Sequence, residues 1–204
     1  MAEDVRVDGR TARAQRTRAA IVEAHLNLIR AGDLRPTGER IAEAAGVSLR
    51  TLWASFKDLE TLFAASGERM FALMSAERRP IPPDLDLAER AAEYCRQRVR
   101  ELEILAPVAR AAVLREPFSA QLRRNRTVEL GRVRSLVVEL FGEELAAAGP
   151  GAAQLADALV ANSSFAVWSV LRDHLGMDVE AATRVLTYSV RALLGVAPVR
   201  PVPR

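Results

Sequence analysis

The chain has 204 residues, half of them hydrophobic and 27% charged, the balance of a folded globular protein rather than a disordered one. A single cysteine, Cys95, excludes an intrachain disulfide and any multi-cysteine zinc site, and two distant histidines, His25 and His174, leave little for a histidine metal site. The net charge of +3 lies wholly in residues 1–57, where ten basic side chains face seven acidic ones, and the rest of the chain balances.

Such a basic end fits either a solvated arginine-rich face or a polyanionic partner. The N-terminus lacks the apolar stretch of a secretory signal. No apolar run approaches the roughly 18 residues of a membrane span. The expectation is a soluble, cytoplasmic chain with no membrane partner.

Helical spacing recurs throughout, without a convincing run of β-branched alternation. Residues 11–31 form a first amphipathic helix carrying Ile21, Val22, Ala24, Leu26, Leu28 and Ile29, which Gly32-Asp33 ends. Thr37 caps a short second helix with Ile41, Ala42 and Ala45, stopped at Gly46; Ser48 starts a third, to about Ala54. Asp58 caps a longer fourth helix with Leu62, Phe63, Ser66, Met70 and Met74 on its buried side. Pro80-Ile81-Pro82-Pro83 is the clearest break. Beyond it the spacing predicts a helix over 86–103, a short one after Pro107, and a long one over 119–148 with a kink near Gly131. A single helix over 152–174 and a last one over 178–195 follow. The reading is an all-α fold of about nine helices: an arm and helix-turn-helix domain at 1–57, a connecting helix at 58–79, a larger domain at 80–195 and a flexible tail at 196–204.

The stretch Thr37 to Phe56 carries the functional argument. Two short helices joined by a tight glycine turn form a helix-turn-helix. Ala42 is small where the helices cross, and Gly46 supplies the turn conformation. Val47, Leu52 and Phe56 anchor the second helix, leaving Leu49, Arg50 and Trp53 facing outward. Ser48 caps that helix, whose amides and dipole also suit a phosphate.

In these residues the sequence resembles the TetR family of bacterial transcriptional regulators. The match runs over about residues 16–65, through Ile21, Ala24, Leu28, Thr37, Ile41-Ala42, Ala45-Gly46-Val47-Ser48, Thr51-Leu52, Phe56, Glu60 and Leu62. The chain departs from the family pattern at Arg50 (Gly there), Trp53 (Tyr), Ser55 (His) and Leu59 (Lys). The resemblance implies DNA contacts from Thr37, Ser48, Leu49, Arg50, Thr51, Trp53, Ser55 and Lys57. Trp53 stands where the family donates to a phosphate, which an indole N–H can do; a partly buried core aromatic is the other reading. Arg50 reaches either the O6 and N7 of guanine or a phosphate. Arg10, Arg13, Arg16 and Arg18 form a solvated arm or one that reaches the DNA. His25 is a core or boundary histidine.

The segments 152–174 and 178–195 are apolar on more than one stripe and need cover on two sides. The resemblance implies a homodimer interface there, with Leu155, Leu159, Asn162, Val185, Leu186 and Leu193 as its candidates. It also implies a small-molecule effector pocket in the larger domain, for which Tyr94, Cys95, Arg110, Phe118, Asn162 and Trp168 are the candidate lining. No catalytic set, metal site or cofactor motif is present, so the expectation is a regulator and not an enzyme. That regulator is a dimer that binds a palindromic double-stranded DNA operator, represses, and is released by its effector. The rival readings are a helical enzyme or small-molecule carrier without DNA binding, and a protein-interaction bundle.

Overall fold

The computed structural model describes residues 9–82 and 84–196. Residues 1–8, residue 83, the side chain of Arg10 and residues 197–204, and with them part of the expected arm and nearly all of the expected tail, lie outside the described residues. Among the described residues the chain is all-α, with nine α-helices and no strand. It divides into two compact units. One holds the residues up to Ala72 together with Pro107–Asn125; the other holds Leu73–Ala106 and the residues from Arg126 onward.

In the first unit, α1 (Gly9–Arg30) buries Ile21, Val22, Ala24, Leu26 and Ile29, spaced to fall on one side of a helix. The chain turns at Gly32, with φ of 96°, into α2 (Gly38–Ala44), α3 (Leu49–Ser55) and α4 (Leu59–Ala76). Each start carries its cap. Thr37 accepts from Arg40 N, Ser48 from Thr51 N at 3.1 Å, and Asp58 from Thr61 N at 2.8 Å; such caps contribute about 1 kcal/mol each. Ile41, Leu52, Phe56 and Leu62 are fully buried, roughly 1.5–3 kcal/mol apiece.

The outlying segment joins this unit through α4. Gln121 N donates to Glu60 Oε2 at 2.8 Å, and Asn125 Nδ2 donates to the Phe63 carbonyl at 3.0 Å. Asn125 lies so close to Gly67 that a Cβ there would come within 2.5 Å of its Nδ2. His25 is a core histidine, as expected: it is buried, with Nδ1 2.9 Å from Ser66 Oγ. Burial, and then the charge of Arg115, pull its pKa down to about 4, so the ring is neutral near pH 7.

Three expectations are corrected. The helix predicted to stop at Glu103 continues as α5 (Leu87–Val113), with Pro107 inside it. Proline removes one helical hydrogen bond, but buried Leu102, Ala106 and Ala111 flank it, and their burial keeps the helix going. In α6 (Ala120–Ala147) the non-helical residue is Phe141 (φ −122°, ψ 26°), not a site near Gly131. Phe141 is fully buried and meets Tyr94 edge-on at 5.5 Å, so ring packing sets the kink.

The predicted 152–174 helix is also broken. α7 (Ala152–Asn162) stops at Ser163, α8 (Phe165–Ser169) restarts, and one π-helical turn, Val170–His174, follows. Ser163 explains the break. Its Oγ donates to the Leu159 carbonyl and accepts from Tyr94 Oη, each at 2.7 Å, while its own carbonyl accepts from Arg98 Nε at 2.8 Å. The backbone group lost from the helix is thereby satisfied. Arg98, 1% exposed, also pairs with Glu101 and Glu129. Burial works against its charge, but Glu129 and then Glu101 outweigh that and raise its pKa above the ordinary value. The last helix, α9 (Val179–Leu193), begins at Asp178, whose Oδ1 accepts from Ala181 N at 2.7 Å.

Candidate nucleic-acid interface

Gly46, with φ of 65°, makes the turn between α2 and α3, and Val47 N donates to the Ala42 carbonyl at 3.0 Å across it. One side of α3 is fixed inward by Leu52 and, just past its end, Phe56. Arg18 of α1 holds the same end: its guanidinium lies 4.0 Å over the Phe56 ring and donates to the Ser55 carbonyl. That arginine belongs to a helix and is engaged, so the expected solvated arm does not include it. Arg13 and Arg16 are helical too, and exposed.

The outward side carries Leu49, Arg50, Trp53 and Ala54, with Lys57 just beyond, all exposed. Among the described residues Arg50 has no ion-pair partner, and Lys57 acts only on neighbouring Asp58, whose pKa it helps to lower. Ser48, Thr51 and Ser55 are occupied locally: Ser48 Oγ and Thr51 Oγ1 lie 2.8 Å apart, and Ser55 Oγ donates to the Thr51 carbonyl at 2.9 Å. Thr37 is exposed but engaged as the α2 cap. Seven of the eight expected DNA-contacting positions thus lie along or just beside α3, and Thr37 lies next to Gly38, which approaches Trp53 and Leu49. The side chains of Arg50, Trp53 and Lys57 carry no hydrogen bond among the described residues.

The candidate effector residues are divided between the two units. Tyr94, Cys95 and Trp168 are core side chains of the second unit. Burial pushes the Tyr94 hydroxyl and the Cys95 thiol each up to about 12, and Trp168 Nε1 donates to Glu103 at 2.8 Å. Asn162 Nδ2 is buried beside the α7–α8 break without a hydrogen-bond partner. Arg110 and Phe118 fall in the first unit. Phe118 is 91% exposed and lines no cavity, because Pro117 and the 3-10 turn Glu116–Phe118 swing it outward. Among the interface candidates, Leu159 and Leu186 are already covered within the chain, Leu155, Asn162 and Val185 are half-buried, and Leu193 is exposed. Sequence reasoning placed Arg18 in the arm rather than on Phe56 and missed Arg98 altogether; an arginine in a charge-rich helix carries no local sign of a partner distant in sequence.

Among the described residues there is no cluster of three metal-ligating side chains and no helix long and apolar enough to cross a membrane. A transcriptional regulator from Rhodococcus sp. Rha1, known by crystal structure, shares the fold. Its TM-score is 0.60 at 20% sequence identity, over 91% of this chain and 99% of that one. No protein-family model and no curated protein matches the sequence.

Proposed function

We propose that the chain is a DNA-binding transcriptional regulator of the TetR type. It works as a homodimeric repressor, and a small-molecule effector releases it from its operator. The observation that carries this reading is the asymmetry of α3. Its inner side is fixed by Leu52, Phe56 and the Arg18 clamp, while its outer side offers Arg50, Trp53 and, just beyond, Lys57. A recognition helix is built that way, rigid behind and uncommitted in front. The excess charge of +3 in residues 1–57 supports the same partner. The fold shared with a known transcriptional regulator supports it further.

In a symmetric dimer the two α3 helices enter successive major grooves about 34 Å apart, which makes the operator palindromic. The outer side of α9 supports a second copy as partner: exposed Tyr188 stands at helical spacing with half-buried Ala181 and Val185. The effector acts by binding unequally to conformers that differ in α3 separation. The chain is then a binding protein and not an enzyme, working in the cytoplasm. Selection of bound fragments from the host genome, followed by affinity measurements across a salt series, tests this. Log affinity should fall linearly with log salt, by about 0.9 per neutralised phosphate. Absence of any DNA binding at low salt would overturn the reading.

A further inference from the structure

Gly38 is the first residue of α2. Its φ is not in the left-handed region, so the backbone there does not call for glycine, and alanine is the better helix former. What the position lacks is room. A Cβ would come within 2.6 Å of Trp53 Cζ2 and 3.3 Å of Leu49 Cδ1. The indole therefore lies edge-in over the start of α2, with Leu49 closing one flank. Trp53 is 38% exposed even so, and its Nε1–H has no partner among the described residues. The second ring atom that a Cβ at 38 would meet is Cε2, at 3.4 Å, which bears Nε1, so the ring is held beside its donor. A ring so held loses torsional freedom before any ligand arrives, which lowers the entropy cost of a contact.

We propose that Gly38 is a positioning residue for DNA binding: its missing side chain is the seat that fixes the Trp53 indole, and with it the direction of the indole donor. The consequence for DNA rests on the function proposed above; the seat itself does not. The family-type tyrosine at position 53 is smaller than tryptophan, so glycine at 38 and tryptophan at 53 form a matched pair, each accommodating the other.

The test uses the full chain carrying 5-fluorotryptophan. Its two tryptophans, Trp53 and Trp168, give two fluorine resonances, assigned by the one lost in Trp53→Tyr. A labelled random-sequence duplex at low salt reads affinity. Gly38→Ala should shift the Trp53 resonance, leave that of Trp168 in place, and weaken duplex binding about tenfold, the loss of one hydrogen bond to a charged group. Adding Trp53→Tyr to Gly38→Ala should bind more tightly than Gly38→Ala alone, because the smaller ring tolerates the methyl. An unmoved Trp53 resonance with a bound duplex overturns the seat. A loss that the second substitution does not relieve overturns the positioning role, since a purely structural glycine behaves that way. A wild-type chain that leaves the duplex unbound overturns the DNA-binding reading itself, and with it the contact.

Discussion

Replacing Arg98 by methionine should cost more than replacing the whole buried charge cluster. The guanidinium is 1% exposed, and the Glu101 and Glu129 side chains it pairs with are 7% and 10% exposed. Removing it alone strands two carboxylates in the core of the second unit. Stranding a buried charge costs about 3–5 kcal/mol. The Ser163 carbonyl at the α7–α8 break loses its Arg98 donor as well, worth about 1–3 kcal/mol. Arg78, 3.7 Å from Glu101 and 41% exposed, offsets only a little of this, because its own charge is largely in water. The expected loss is about 4 kcal/mol or more, against a total stability of about 5–15 kcal/mol. Arg98→Met combined with Glu101→Gln and Glu129→Gln should recover most of it, keeping only the cost of the orphaned carbonyl. Urea unfolding at pH 7, with midpoint and slope both fitted, measures each variant. A single variant within about 1 kcal/mol of wild type, or a triple variant less stable than the single one, would refute the reasoning.

Other outcomes follow from the same structure. Because the folded pKa of His25 is lowered from 6.5 to about 4, the unfolded chain takes up a proton there that the folded chain refuses. Stability should therefore fall as the pH drops through that window, by about 3 kcal/mol in all; a His25→Gln chain with the same pH profile as wild type would contradict this. Tyr188 is 62% exposed, so, for the dimer proposed above, Tyr188→Glu should give a folded monomer in equilibrium sedimentation, its melting temperature lowered only by the lost contribution of assembly. Arg50→Ala should cost about 1–3 kcal/mol on the selected operator and relax preference at one base pair per half-site if Arg50 reads guanine. A uniform loss with a shallower salt slope would assign Arg50 to phosphate.

What was legible in the sequence was what local chemistry decides. Thr37, Ser48, Asp58 and Asp178 announce helix starts because a short oxygen-bearing side chain satisfies amides three residues on, and Gly46 announces the turn. The exposed side of α3 followed from where Leu52 and Phe56 had to point. What stayed hidden depends on partners distant in sequence. Ser163 breaks a helix only because Tyr94 and Arg98 bond to it from α5. Phe141 bends α6 because Tyr94 meets its ring, and Pro107 is tolerated because buried residues flank it. The seat of Trp53 on Gly38 is a contact between two helices, and nothing in either helix alone reveals it.

The division of the chain falls inside α4, α5 and α6, so the unit bearing the helix-turn-helix is discontinuous in sequence. It follows that this head cannot be exchanged as an N-terminal cassette. A chimera spliced after α4 would carry Glu60 and the Phe63 carbonyl into a host lacking Gln121 and Asn125, and Gly67 would face whatever residue the host supplies. A working transplant has to bring Pro107–Asn125 with it, as an insertion into the recipient's own helices. Drift in a lineage faces the same constraint: the exposed side of α3 can change residue by residue, whereas wholesale replacement of the head needs two matched exchanges in one gene.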